Sequence, residues 1–319
     1  MFRFTRLLPV LVLLCGLNSA GNTFGATDPA RQLRLALLPV PDVLPVYVAE
    51  AQGYFAEHGL EVVTLPVGSA VERDQLIQAG GADGMINEIS STAGFNREQS
   101  QVKIVAIARA PSGTSPVFRV LAAAGSGING VADLAGVAIG VSKNTIIEYI
   151  TTRLLTAGGV AEEAIVYRSV PVLPERLQLL LSGQIAVATL PDPLGYSAIR
   201  AGAVEVVNDT ALPAVSATVI SFTTTALQEK AEAVKMFMQA WDRAAADLNA
   251  DPQSFRELLL AKIRVPKNVA ADFPIPPMPR GALPSRAQWD EVMAWMVEKG
   301  LLTAPLAYED SVTADFQVQ

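Results

Sequence analysis

The chain has one cysteine and one histidine in 319 residues. Cys15 falls in the leader described below, so a processed chain has no cysteine. That excludes disulfides and thiolate-ligated metal sites. His58 stands in Ala56-Glu57-His58-Gly59, a helix-end run where an imidazole meets the helix dipole. Without a second histidine or a thiol, the usual nucleophile–base pairs are missing. No Gly-x-Ser-x-Gly elbow, Walker loop or dinucleotide fingerprint occurs, and Gly125-Ser126-Gly127 reads as a turn. After the leader no eighteen consecutive residues are apolar, so no later segment reads as a spanning helix. Positive charge is in deficit. The formal net charge is −7, and becomes −9 once Arg3 and Arg6 leave, which argues against nucleic acid and anionic membrane surfaces as partners.

Residues 1–14 carry Arg3 and Arg6 and then the apolar run Leu7 to Leu14, the pattern of a secretory signal. A cut before Ala26, after Thr23-Phe24-Gly25, makes residues 1–25 a signal peptide. The remaining chain, about 290 residues, can bury one or two cores. The expected location is the periplasm. Cys15 opens a second reading, a lipid-modified N-terminus, although Leu14 is not the small residue such signals carry.

The chain is organised around 33–68. Leu33 to Pro39 reads as a buried strand, Pro41 and Pro45 break it, and Pro45 suits a first helical turn. Tyr47, Ala51, Tyr54 and Phe55 recur at helical spacing, Gly59 fits a C-cap, and Leu60 to Val67 reads as a second strand. Such a β-α-β unit implies parallel strands covered by helices. The pattern continues with Ser69 as an N-cap, a strand at 82–87, a helix at 88–96 and a strand at 103–108. The turn cluster at 111–116 reads as a first crossing into a second lobe of the same kind. Val215 to Thr224 reads as the return crossing. The expected division is 31–112 and 220–319 for the first lobe and 113–219 for the second. The run from Phe273 to Pro279 predicts an extended surface or cleft-edge segment. Trp289 to Lys299 predicts a helix with ordinary core spacing, and the tail after Tyr308 a loose end.

The motif A-x-x-x-G-Y-F-x-x-x-G-L-x-V, here Ala49, Gly53, Tyr54, Phe55, Gly59, Leu60 and Val62, resembles the start of solute-binding proteins of the nitrate, sulfonate, taurine and thiamine-precursor type. The residues also have a plain structural reading, with Tyr54 and Phe55 in a core and the glycines in turns. The resemblance implies an α/β protein of two doubly wound lobes joined by two hinge strands, the type II periplasmic-binding-protein fold. It further implies a monomeric receptor for a small molecule, partnered by an ABC permease in the inner membrane, with no cofactor and no metal.

In doubly wound sheets ligands sit beyond the carboxyl ends of the strands, near helix N-termini. By position the candidates are Asp42, Ser69, Asn87, Glu88 and Arg109 in the first lobe. Ser142, Asn144, Thr145 and Asp192 are those of the second. Each has a bland role as a cap, strand end or dipole partner. Asp42, Glu88 and Asp192 together would suit a cation or a donor-rich heterocycle, whereas Arg109 can fork an oxyanion. Tyr47 could stack on a planar ligand, although a core position suits it better. Two alternatives stand beside the receptor: a lyase or dehydratase on the same fold, using carboxylates alone, and a ligand-sensing domain acting on a membrane partner.

Overall fold

The segment 33–68 folds as its pattern dictates. Strand β1 (Gln32–Leu37) ends at the prolines, α1 (Leu44–Ala51) begins with Pro45 in its first turn, and α2 (Tyr54–Glu57) follows Gly53. Gly53 and Gly59 have φ of 78° and 62°, a region that L side chains avoid. Strand β2 (Glu61–Pro66) then returns parallel to β1. Tyr47, Tyr54 and Phe55 are buried, and Phe55 stacks on Phe237. The structure, a computed structural model, describes residues 28–318. The signal peptide and Cys15 lie outside the described residues.

The first lobe continues with α3 (Ala70–Gln78), β3 (Gly84–Glu88), α4 (Ile89–Phe95) and β4 (Val102–Arg109). The second holds β5 (Phe118–Ala122), β6 (Ala138–Val141), α5 (Ile146–Ala157), β7 (Val166–Ser169), α6 (Leu173–Leu181), β8 (Val187–Pro191), α7 (Leu194–Arg200) and β9 (Val204–Asn208). The chain then crosses back as β10 (Thr218–Thr223). The strand orders are β2-β1-β3-β10-β4 and β7-β6-β8-β5-β9. Each sheet therefore has one strand inserted antiparallel: β10 between β3 and β4, and β5 between β8 and β9. These inserted strands are the continuations of the two crossings, so the hinge segments are anchored inside the sheets.

Asp209 ties the crossings together. Its carboxylate accepts N–H bonds from Val117 (3.0 Å) and Phe118 (3.1 Å) on one segment and the Ser216 hydroxyl (2.7 Å) on the other. Burial pushes this carboxyl up to about 6, against those hydrogen bonds and the nearby Arg109 charge.

The remaining helices are α8 (Thr224–Glu229), α9 (Ala231–Ala250), α10 (Arg256–Lys262), α11 (Arg286–Glu298) and α12 (Tyr308–Ser311). The amphipathic α9 packs Val234, Phe237, Trp241 and Leu248 into the core over β1, beside α1. Two expectations need correction. The proline-rich run is extended, but Phe273, Ile275 and Met278 are buried in that core. The tail after Tyr308 is not loose. Val312 bridges Ile104, Thr313 N–H bonds the Ile104 carbonyl (3.0 Å), and Phe316 is buried. The tail thereby covers the open edge of β4, a site that would otherwise invite intermolecular pairing.

Helix α11 belongs to both lobes. Met293 and Met296 join an apolar cluster that runs from Ile104 and Val219 of the first sheet to Val120 and Val187 of the second. Trp295 meets Tyr149 of α5 edge-on at 5.3 Å, and Arg153 pairs with Glu291. At a second contact, Asn268 bonds Ser197 (2.8 Å) and Phe273 meets Tyr196 at 5.7 Å. The lobes thus touch at two places, and residues of both line one cavity.

Candidate functional site

The cavity has a volume of about 440 Å³, a size typical of small-molecule sites. The first lobe supplies the loop after β1, the N-terminus of α3, the end of β3 and α4. The second supplies the N-terminus of α5, the loop before α6 and the end of β8. Phe95, Phe118, Ile147, Leu173 and Met296 give it apolar walls.

Its buried arginines are committed to carboxylates. Arg73 on α3 is 1% exposed. Its Nε bonds Asp74 (2.8 Å), Nη1 bonds Glu88 (3.3 Å) and the Ile86 carbonyl (3.1 Å), and Nη2 bonds Glu88 (3.1 Å) and Ser91 (3.3 Å). All its N–H groups are spent. Burial alone would lower its pKa, but the charges of Glu88 and Asp74 outweigh burial and raise it. Arg109 pairs with Asp42 (3.1 Å) and donates to the Pro116 carbonyl (2.7 Å). Arg119 of β5, just behind the wall, forks Asp192 through Nε (2.8 Å) and Nη2 (2.9 Å) and also meets Glu205. Burial works against its charge too, and Asp192 and Glu205 outweigh it, raising the pKa. Arg97, the one lining cation without an ion pair among the described residues, is exposed at the rim.

Two of the helix N-termini facing the cavity, those of α3 and α5, are likewise capped, whereas those of α4 and α6, which also line it, have no side-chain cap. Ser69 caps α3 by accepting from Glu72 N–H (3.2 Å), and the Glu72 carboxylate reaches back to Gly68 N–H (2.6 Å). At α5, Thr145 accepts from Ile147 N–H (3.2 Å) and Glu148 takes Asn144 N–H (2.6 Å). Asn144 has φ of 61°, a backbone state that asparagine tolerates better than most residues. At α3 and α5, the loop N–H that could meet an anion already bonds a glutamate of the same helix.

Of the positions expected from sequence, Asp42, Ser69, Glu88, Arg109, Asn144, Thr145 and Asp192 line the cavity. Asn87 and Ser142 do not. Asn87 is fully buried between Thr92 (2.9 Å) and Ser221 (2.8 Å), because its side chain faces the helix layer. Ser142 is turned away by Arg176, which donates to its hydroxyl, and it donates in turn to the Pro171 carbonyl (3.4 Å). Arg176 has no ion pair among the described residues, and burial lowers it to about 10. Tyr47 is a core residue with Lys262 over its ring, not a stacking platform.

Sequence reasoning missed Arg73, Asp74, Ser91, Thr218 and Met296. Arg73 had a signal: it lies four residues after the Ser69 cap, on the helix face that the cap directs at the cleft. Among the described residues no group of three or more His, Cys, Asp or Glu is placed to hold a metal. No helix among them is long and apolar enough to cross a membrane.

Residues 40–255 match the model of the family described as NMT1/THI5 like, more than half of the chain. The chain belongs to the NMT1/THI5-like family. No curated protein matches it in sequence. Solved structures share the fold of this NMT1/THI5-like protein at low identity. The ligand-binding component of an ABC-type import system from Staphylococcus aureus, solved with zinc bound, superposes with a TM-score of 0.75 at 13% identity, over 90% of this chain and 98% of that one. The periplasmic aliphatic sulphonate binding protein from Escherichia coli gives 0.74 at 15% identity, over 91% and 94%. The desulfurization enzyme DSZB gives 0.67 at 17% identity, over 89% and 97%. The fold is therefore that of two-lobed periplasmic binding proteins, and it also carries an enzyme.

Proposed function

We propose that this protein is an extracytoplasmic receptor of an ABC importer that captures one small molecule between its lobes and performs no chemistry on it. Residues 31–112 with 220–319, and residues 113–219, are the two bodies that close. The leader at 1–25 delivers the chain to the periplasm, where as a monomer it hands its solute to a permease of the inner membrane. The observation that carries this reading is the cavity walled by both lobes at the carboxyl ends of their parallel strands, beside a crossing pair held by Asp209. The family and the import-system neighbours support it.

Among the described residues that line the cavity there is no histidine or cysteine. The one histidine, His58, is not among its lining residues, and its carboxylates Asp42, Glu88 and Asp192 are each held by an arginine. Calorimetry on the processed protein should show one solute bound per chain, and chromatography should return that solute unchanged after prolonged incubation. A product appearing at a rate proportional to protein would overturn the receptor reading in favour of a lyase.

A further inference from the structure

Three guanidiniums are buried in or just behind the cavity wall, and each stands among two carboxylates. Arg73 meets Asp74 and Glu88. Arg119 meets Asp192 and Glu205. Arg109 pairs with Asp42 and also feels the charge of Asp209, whose carboxylate holds the lining residues Val117 and Phe118. With its acids ionised, each cluster carries one negative charge in excess. Arg176 lies behind Ser142 and does not line the cavity, and Arg97 is exposed at the rim, where water and salt screen it. The uncapped starts of α4 and α6 bring only about half a positive charge each. A cleft walled by an excess of one sign concentrates solutes of the other.

The polar groups buried in the wall are mostly spent or sealed. All Arg73 N–H groups are bonded, and so are both oxygens of Asp192. The Arg109 Nε–H and the Thr218 hydroxyl are closed off from the cavity. Two lining atoms remain that have no partner among the described residues and are not sealed: Asp42 Oδ2 and the Ser90 hydroxyl. Their residues are 4% and 7% exposed. The hydroxyl can donate or accept, so it does not select charge. The carboxylate oxygen only accepts, and a positively charged donor makes the stronger bond with it.

We infer that the cavity binds an organic cation, with an ammonium N–H donated to Asp42 Oδ2 and an apolar body held by the walls that Phe118, Ile147 and Met296 help to form. A carboxylate or sulfonate brings only acceptors and adds negative charge to clusters that already have it in excess. This inference rests on the receptor reading above, since it names the class of solute for that same cavity.

The test uses hexylamine and benzylamine against matched hexanol, benzyl alcohol, hexanoate, benzoate and hexanesulfonate, read by thermal shift and calorimetry at neutral pH. The amines should raise the melting temperature in proportion to their occupancy. The alcohols should bind about tenfold more weakly, and the acids and the sulfonate should not bind. Asp42→Asn keeps an oxygen for Arg109 and removes the charge. It should weaken amine binding about a hundredfold and change alcohol binding far less. The ranking of matched probes on the parent protein needs no variant, so it decides the matter even if Asp42→Asn fails to fold. Three results would overturn the inference: an acid or sulfonate binding as tightly as its amine, Asp42→Asn binding amines like the parent, or neither amine binding. Its failure is separable from that of the receptor reading. An anionic solute that shrinks the protein in solution sinks only the cation assignment, whereas amines that bind without any change in shape sink only the closing receptor.

Discussion

Replacing Arg119 by methionine tests whether charge holds the second lobe's wall of the cleft. Arg119 meets Asp192 through two parallel bonds of 2.8 and 2.9 Å, and Asp192 also accepts from Tyr196 N–H at 3.0 Å. The Asp192 side chain is only 4% exposed, so water cannot replace the guanidinium. Methionine keeps much of the apolar stem and strands the carboxylate. Breaking a buried pair from one side costs about 3–5 kcal/mol. Glu205, with a side chain 28% exposed, can turn to solvent and adds little. The Arg119→Met/Asp192→Asn double variant exchanges the stranded charge for a neutral amide and should recover about 2 kcal/mol of that loss. Urea unfolding of the three proteins gives the numbers through the midpoints. A loss below about 1 kcal/mol for Arg119→Met, or a double variant no more stable than the single one, would refute the reasoning, because the pair would then be behaving as a solvated surface bridge.

Two further variants probe the lobe contacts. The Tyr149 hydroxyl and the Trp295 ring N–H are both buried without partners in the α5–α11 seam, so Tyr149→Phe should leave stability unchanged or raise it by about 1 kcal/mol; a thermal melt that falls by several degrees would show that the hydroxyl is bonded after all. Asp209 titrates at about 6 in the native protein and near 3.9 when unfolded, so the native state holds its proton more tightly. Its contribution is complete below the unfolded value and is lost as pH rises through about 6, a span worth at most about 3 kcal/mol. The stability difference between parent and Asp209→Asn, from urea midpoints at pH 4 to 7, should therefore shrink with rising pH and level off above 6.5 or so. A difference that grows with pH would mean that the three donors around this carboxylate outweigh its burial.

Much of the fold could be read from local pattern. The β-α-β unit at 33–68, the glycine C-caps and most helices of both lobes depend on residues near one another in sequence, and they formed where periodicity put them. What escaped was long-range. Nothing near Val219 says that it will lie between β3 and β4, because that placement is decided by strands more than a hundred residues earlier. The tail after Tyr308 has little apolar content of its own, yet Val312 and Phe316 find the edge of β4. At the site, strand-end logic located Asp42, Arg109 and Asp192 but not their partners. Whether a charge is free or spent depends on Arg73 meeting Glu88, or Arg119 meeting Asp192, across the fold. Asn87 and Ser142 stood at the right strand ends and were drawn elsewhere by Ser221 and Arg176.

Small-angle scattering of the processed protein, before and after saturation with a solute that raises its melting temperature, tests the closing of two lobes on a captured molecule most directly. A smaller radius of gyration at saturation is predicted, with both interlobe contacts, Trp295 on Tyr149 and Phe273 on Tyr196, formed in the bound state. A radius identical with and without bound solute would contradict it.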